Sequence, residues 1–192
     1  MKIGVLASQG AFAEHIQILK RLGVEAIPVR LPKELLGLDG LIIPGGESTT
    51  ISRMMAGDKL NHEIKKLGEE GFPLWGTCAG LILLAKGPSG SHPEPLGLLD
   101  VSVKRNAFGR QRESFEAALA VPALGEEPFP AVFIRAPAVG GVNGKVEILA
   151  RLDEATIVAV RQGKLMGTSF HPELTDDLRF HQYFLDVVYG KK

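Results

Sequence analysis

Gly76-Thr77-Cys78-Ala79-Gly80 contains the only cysteine of the 192-residue chain, with a glycine two positions away on either side. Before it, Phe72-Pro73-Leu74-Trp75 reads as a short buried strand; after it, Leu81-Ile82-Leu83-Leu84-Ala85 reads as the start of a helix. A residue at such a junction is forced into a strained backbone geometry, and glycines beside it let strand and helix approach without Cβ clashes. The side chain is lifted into the open. A lone cysteine is ordinarily a small buried apolar residue. Here the paired glycines and the junction point to a nucleophile, with a helix N-terminus behind it that favours thiolate and offers N–H groups to an oxyanion.

Upstream, apolar runs alternate with amphipathic ones. Lys2 to Ala7 predicts a buried strand, Ala11 to Leu22 a helix with Phe12, Ile16 and Leu19 on one face, and Val24 to Val29 a second strand. After a turn at Pro32-Lys33-Glu34-Leu35-Leu36, Gly40-Leu41-Ile42-Ile43 is a third, wholly apolar strand. Such alternation predicts an α/β fold, a doubly wound and mostly parallel sheet with helices on both faces. Pro44-Gly45-Gly46-Glu47-Ser48-Thr49-Thr50 leaves the third strand directly, and helical periodicity resumes through Ile51, Met54 and Met55 and again from Leu60 to Leu67. The loop is either a plain turn with Ser48 capping the next helix or a ligand-facing segment at the carboxyl ends of the strands, on the rim that carries Cys78. The elbow favours the second.

Beyond a Gly/Ser/Pro-rich loop from Gly87 to Pro95, short alternating runs take over: Ser102 to Arg105, Ser114 to Ala118, Ala131 to Ile134, Val146 to Ala150, Ile157 to Val160 and Lys164 to Ser169. Asn143-Gly144 and Gln162-Gly163 predict antiparallel hairpins there. Asp176 to Tyr189 reads as a closing helix with Leu178, Phe184, Leu185 and Val188 as packing residues. One domain over residues 1–192 is expected, with no repeat or linker.

A cysteine nucleophile needs a base and an acceptor to orient that base. Two of the five histidines, His92 and His171, stand in identical His-Pro-Glu triplets. His171-Pro172-Glu173 follows a predicted strand whose end reaches the rim, and Glu173 is placed to accept from Nδ1 so that Nε2 faces the sulfur. His92-Pro93-Glu94 lies in the solvated loop, at the far end of the short helix that leaves the elbow. His15, His62 and His181 fall in helical patterns and read as packing or surface positions.

Composition narrows the partners. Lysine plus arginine equals aspartate plus glutamate, 22 each, so no positive excess exists to neutralise nucleic acid or an anionic membrane. A single cysteine makes no internal disulfide, and the apolar run from Ile3 is interrupted at Ser8 and Gln9 before it reaches the length of a signal-peptide core. The expectation is a soluble, cytoplasmic protein.

With elbow, glycine loop and His-Pro-Glu in this order, the sequence resembles the class I (triad) glutamine amidotransferases, and among them the glutaminases that serve pyridoxal 5′-phosphate synthases. The segments carrying the narrower likeness are Gln9 to His15, Pro44 to Thr50, Gly76 to Gly80, Arg105 to Phe115, Phe133 to Pro137 and Phe170 to Glu173. Ser8 departs from the apolar residue usual before Gln-Gly. The resemblance implies that Cys78 attacks the side-chain amide of glutamine, that His171 steadied by Glu173 shuttles the proton, and that N–H groups of Gly45, Gly46 and Ala79 form the oxyanion hole. It implies glutamine binding by Gly46, Glu47, Ser48, Arg105, Ile134 and Arg135. It calls for no cofactor and no metal. It also implies a separate synthase chain in a large hetero-oligomer, on which the oxyanion hole is completed; the Gly45-Gly46 peptide is the part expected to move, because glycine flips at little steric cost. The rival reading is a stand-alone cysteine hydrolase of the same fold that acts on γ-glutamyl or other small amides.

Overall fold

A computed structural model describes residues 1–87, 94–109 and 113–192. Its main sheet has the order β2-β1-β3-β4-β11-β10-β8-β5, with β9 paired to β10 beside this path. The strands that run parallel are β1 (Lys2–Leu6), β2 (Glu25–Val29), β3 (Gly40–Ile43), β4 (Leu74–Thr77) and β11 (Leu165–Thr168). Antiparallel pairing begins at β10 (Ile157–Gln162) and includes β5 (Val101–Lys104), β8 (Ala138–Val142) and β9 (Glu147–Arg151). The strands β6 (Ser114–Leu119) and β7 (Phe129–Ile134) form a separate two-stranded ribbon.

Period-two alternation along the strands explains why both faces are covered. Ile3, Val5, Ile42, Trp75 and Met166 point to one face, where α1 (Phe12–Arg21) and α5 (Arg179–Val188) pack through Leu19, Phe180 and Phe184. Leu6, Leu41, Ile43, Leu74 and Leu165 point to the other, against α2 (Ser48–Gly57), α3 (Leu60–Glu69) and α4 (Ala79–Leu84). This is the doubly wound arrangement expected from the alternating apolar runs.

Three details differ from expectation. The strand before the cysteine occupies Leu74–Thr77 and so delivers Cys78 immediately at its end, since Pro73 lacks an N–H for the ladder. Ala138-Val139-Gly140-Gly141-Val142 is a strand outside the predicted runs; its pairing with β5 overrides the weak local propensity of two glycines. Gln162-Gly163 does join a hairpin, with Gln162 opposite Leu165. Asn143-Gly144 instead connects two strands that pair elsewhere, β8 with β5 and β9 with β10.

Candidate active site

Loops leaving the carboxyl ends of β1, β3, β4 and β11 converge on a cavity of about 320 Å³ and contribute Gln9, Gly46, Glu47, Ser48, Cys78, Ala79 and His171 to its wall. Ile82, Arg105, Asn106, Ile134 and Arg135 complete it. The carboxyl rim of an open parallel sheet, where the strand order reverses about β1, is where ligands bind in such folds.

The elbow is held by steric fit. Cys78 has φ 48° and ψ −102°, a left-handed value that costs energy for any residue but glycine. Its N–H donates to the Thr168 carbonyl at 2.7 Å, tying it to β11. A Cβ on Gly80 would lie 1.9 Å from the Ile43 carbonyl oxygen, and one on Gly76 would lie 2.4 Å from the Gly80 carbonyl group. Both glycines are therefore required by close approach of backbone to backbone. Asn106 and Arg135 also have positive φ and also line the cavity, so three of the four such non-glycine residues found in the described chain gather at one site.

His171 is held by polar contacts. His171 Nδ1 lies 2.7 Å from Glu173 Oε1, and Cys78, whose thiol faces the Ile134 carbonyl at 3.9 Å, lines the same cavity as the imidazole. Burial acts to lower the His171 pKa, but the bonds to Cys78 and Glu173, with the charge of the carboxylate, raise it from 6.5 to about 10. The imidazole is thus cationic at neutral pH. The 3-10 turn Pro172–Leu174 brings Glu173 back under the ring, with Pro172 at its first position.

The glycine loop is braced from two sides. Gln9 Oε1 accepts from the Glu47 N–H at 2.9 Å, and a Cβ on Gly10 would collide with the Gly45 carbonyl oxygen at 1.8 Å. The Gly45 N–H donates to Thr77 Oγ1 at 3.1 Å. In this structure that N–H is thus engaged by Thr77. The Gly46 N–H is directed away from Ala11, because the Gly45 carbonyl of the same trans peptide faces the Ala11 N–H at 3.4 Å. Glu47, not Ser48, caps α2: its carboxylate accepts from the N–H groups of Thr49 and Thr50. Hydrogen bonds from Thr50 and Thr49 lower its pKa to about 2.

All the residues expected to bind substrate, Gly46, Glu47, Ser48, Arg105, Ile134 and Arg135, do line the cavity together with Cys78, Ala79 and His171. His92 lies outside the described residues, as do Arg110, Gln111 and Arg112 of the segment Arg105 to Phe115. Ser8 lines a different hollow, with Arg30, Leu31 and Met54. His62 is exposed. His15 and His181 are fully buried, and they touch the site. His15 Nδ1 lies 2.8 Å from His181 Nε2, while His15 Nε2 lies 3.3 Å from Glu173 Oε2 and 3.4 Å from Thr77 Oγ1. Burial, then the neighbouring His181 and His171, lower the His15 pKa well below its usual value. Burial lowers that of His181 to about 3. The signal for both was a histidine on an otherwise apolar helical face: His15 is three residues from Phe12 and four from Leu19, and His181 is three from Phe184 and four from Leu185.

Known proteins share the fold. A crystal structure of a glutamine amidotransferase superposes with a TM-score of 0.91 at 51% identity, over 97% of this chain and 98% of that one. The PurLQS structure from Thermotoga maritima shares the fold at 19% identity and TM-score 0.71, over 96% and 97% of the two chains. The class is thereby that of the glutamine amidotransferases. More narrowly, the chain belongs to the SNO glutamine amidotransferase family, whose model matches residues 5–189. Pyridoxal 5′-phosphate synthase subunit PdxT from Pelotomaculum thermopropionicum is 55% identical over 186 residues, 97% of this chain and 94% of that one. The PdxT of Herpetosiphon aurantiacus is 56% identical over 190 residues, covering 97% and 100%. The chain is thus an enzyme that hydrolyses glutamine. Among the described residues no helix is long and apolar enough to cross a membrane.

Proposed function

We propose that this chain is the glutaminase subunit of a pyridoxal 5′-phosphate synthase, with Cys78 as nucleophile, His171 as proton carrier and Glu173 as its orienting carboxylate. The single observation that carries the assignment is the imidazole of His171, bonded to Glu173 at 2.7 Å and lining one cavity with a cysteine fixed on a strained elbow. With Nδ1 occupied, Nε2 is the nitrogen left for sulfur. A cationic imidazole beside the sulfur favours thiolate, the reactive form.

Thiolate attacks the side-chain amide carbon of glutamine, and the imidazolium gives its proton to the departing nitrogen as the C–N bond breaks. Ammonia leaves and a γ-glutamyl thioester remains. Water then loses a proton to the neutral imidazole while attacking the thioester; the C–S bond breaks, and glutamate departs with the thiolate–imidazolium pair restored. The Ala79 and Gly46 N–H groups are the donors assigned to the oxyanion of each tetrahedral intermediate. The side chains of Arg105, Arg135, Glu47 and Ser48, with the Ile134 segment, are assigned to the two ends of the substrate's amino-acid portion.

Ammonia set free in water becomes ammonium, which is no nucleophile, so the reaction serves biosynthesis only beside an acceptor enzyme. The partner assigned is a separate synthase subunit, as the relatives' name implies. The test is glutamate release from glutamine by the chain with and without that subunit, with Cys78→Ala as blank. At least a tenfold rise on adding the partner is expected, with no activity in the blank. Full activity of the chain alone would favour a stand-alone amide hydrolase, and ammonia release by Cys78→Ala would overturn the nucleophile.

A further inference from the structure

Glu173 uses one carboxylate oxygen on His171. The other, Oε2, is buried among protein atoms, lacks a well-aligned hydrogen bond, and has the His15 Nε2 atom 3.3 Å away. A buried carboxylate oxygen next to an imidazole nitrogen is attracted if that nitrogen carries hydrogen and repelled if it presents a lone pair. The protonation of His15 therefore matters to the base, although His15 touches neither substrate nor sulfur.

The surroundings decide between the tautomers. If His15 carried hydrogen on Nδ1, it would donate to His181 Nε2 at 2.8 Å. His181 would then need its own hydrogen on Nδ1, a buried atom with no partner, and the His15 Nε2 lone pair would face the carboxylate. That arrangement buries an unsatisfied N–H and adds a repulsion. In the opposite arrangement His181 Nε2–H donates to His15 Nδ1, His15 Nε2–H faces Glu173 Oε2, and only an acceptor lone pair of His181 goes unused. Unsatisfied acceptors are tolerated better than unsatisfied N–H donors. Both rings stay neutral at working pH, since burial holds their pKa values low.

We propose that His15, fixed as its Nε2–H tautomer by His181, is a positioning residue for the glutaminase reaction: it anchors the Glu173 oxygen that His171 leaves free. The same Nε2 atom lies 3.4 Å from Thr77 Oγ1, which accepts the Gly45 N–H at 3.1 Å. One imidazole on α1 thereby touches the support of the base and the support of the glycine loop. The inference rests on the function proposed above, and partners that orient a catalytic or metal-bound imidazole are commonly worth about 10- to 100-fold.

The experiment compares two amides at position 15 in the full chain, assayed with the synthase subunit. A glutamine side chain places N–H where Nε2–H stands, whereas the shorter asparagine reaches only toward His181. His15→Gln is expected to keep kcat within about fivefold of wild type, and His15→Asn to lose roughly 10- to 100-fold in kcat with KM within twofold. Equal kcat values for the two variants, or a loss confined to KM, would overturn the proposal. Should His15→Asn fail to fold, His181→Phe removes the tautomer lock and leaves His15 in place; a severalfold fall in kcat supports the proposal and an unchanged kcat overturns it. Imidazole ¹⁵N spectra of the wild-type chain supply a readout independent of activity: His15 as the neutral Nε2–H tautomer is required, and the Nδ1–H form is fatal. Absence of glutamine hydrolysis by wild type with its partner would instead refute the proposed function, so the two failures are distinguishable.

Discussion

The two arms of the site are held in place by different physics. The sulfur arm is positioned by backbone sterics: a left-handed residue, flanked by glycines whose Cβ positions are already filled by carbonyl groups. The base arm is positioned by a buried polar series running His171, Glu173, His15, His181 through a 3-10 turn and two helices. Steric positioning fails by unfolding or displacement and is indifferent to pH. Polar positioning fails first by loss of turnover and is sensitive to pH.

That contrast is open to direct attack. Its most severe test is Glu173→Gln, isosteric with the native side chain. The amide oxygen is drawn to His15 Nε2–H, so the NH₂ group confronts His171 Nδ1 and selects the wrong tautomer; a loss of about 10³-fold in kcat, roughly 4 kcal/mol, is expected. Retained turnover would show that the base arm does not depend on this carboxylate. Gly80→Ala probes the other arm and should do the reverse, destabilising by about 3 kcal/mol and lowering Tm by roughly 6–12 °C, because its Cβ meets a backbone carbonyl that has no side chain to move aside. A wild-type Tm in this variant would refute the steric account.

Acid sharpens the comparison further. His15 and His181 have folded-state pKa values below the usual 6.5, so the unfolded chain binds more protons as pH falls. The stability they contribute is present above pH 6.5 and is lost as pH falls toward their folded values. By pH 5 the loss from His181 is about 2 kcal/mol, and His15 contributes in the same direction. His171 has the opposite sign: its raised pKa contributes stability that is fully present below pH 6.5 and lost as pH climbs through about 10. Denaturation at pH 5 and pH 7 should show a smaller difference in His181→Phe than in wild type; an equal difference would exclude His181 as a source. The smallest effect expected is that of Glu47→Ala, which removes the cap of α2 and should cost about 1 kcal/mol in chemical denaturation.

The sulfur arm was readable from sequence because its determinants are contiguous: Gly76, Cys78 and Gly80 carry both the strain and its relief within five residues. The parallel strands announced themselves by apolar runs, and His171-Pro172-Glu173 by its place after the last of them. What escaped was long-range. His15 and His181 stand 166 positions apart, and no local pattern says that two histidines on apolar helical faces will meet over a carboxylate. Gly140-Gly141 concealed β8 because strand propensity there comes from pairing with β5 rather than from the residues themselves. The commitment of the Gly45 N–H to Thr77 was hidden likewise, since a threonine in a strand gives no sign of which loop it will hold.

β11 is the last strand in sequence, yet it lies in mid-sheet between β4 and β10. During synthesis the sulfur at 78 leaves the ribosome long before the imidazole at 171, and until β11 inserts, β4 is an unpaired edge and the Cys78 N–H lacks its Thr168 acceptor. An unfinished chain therefore holds the proposed nucleophile without its proposed base. Glutamine is safe from it until the final strand has closed the sheet.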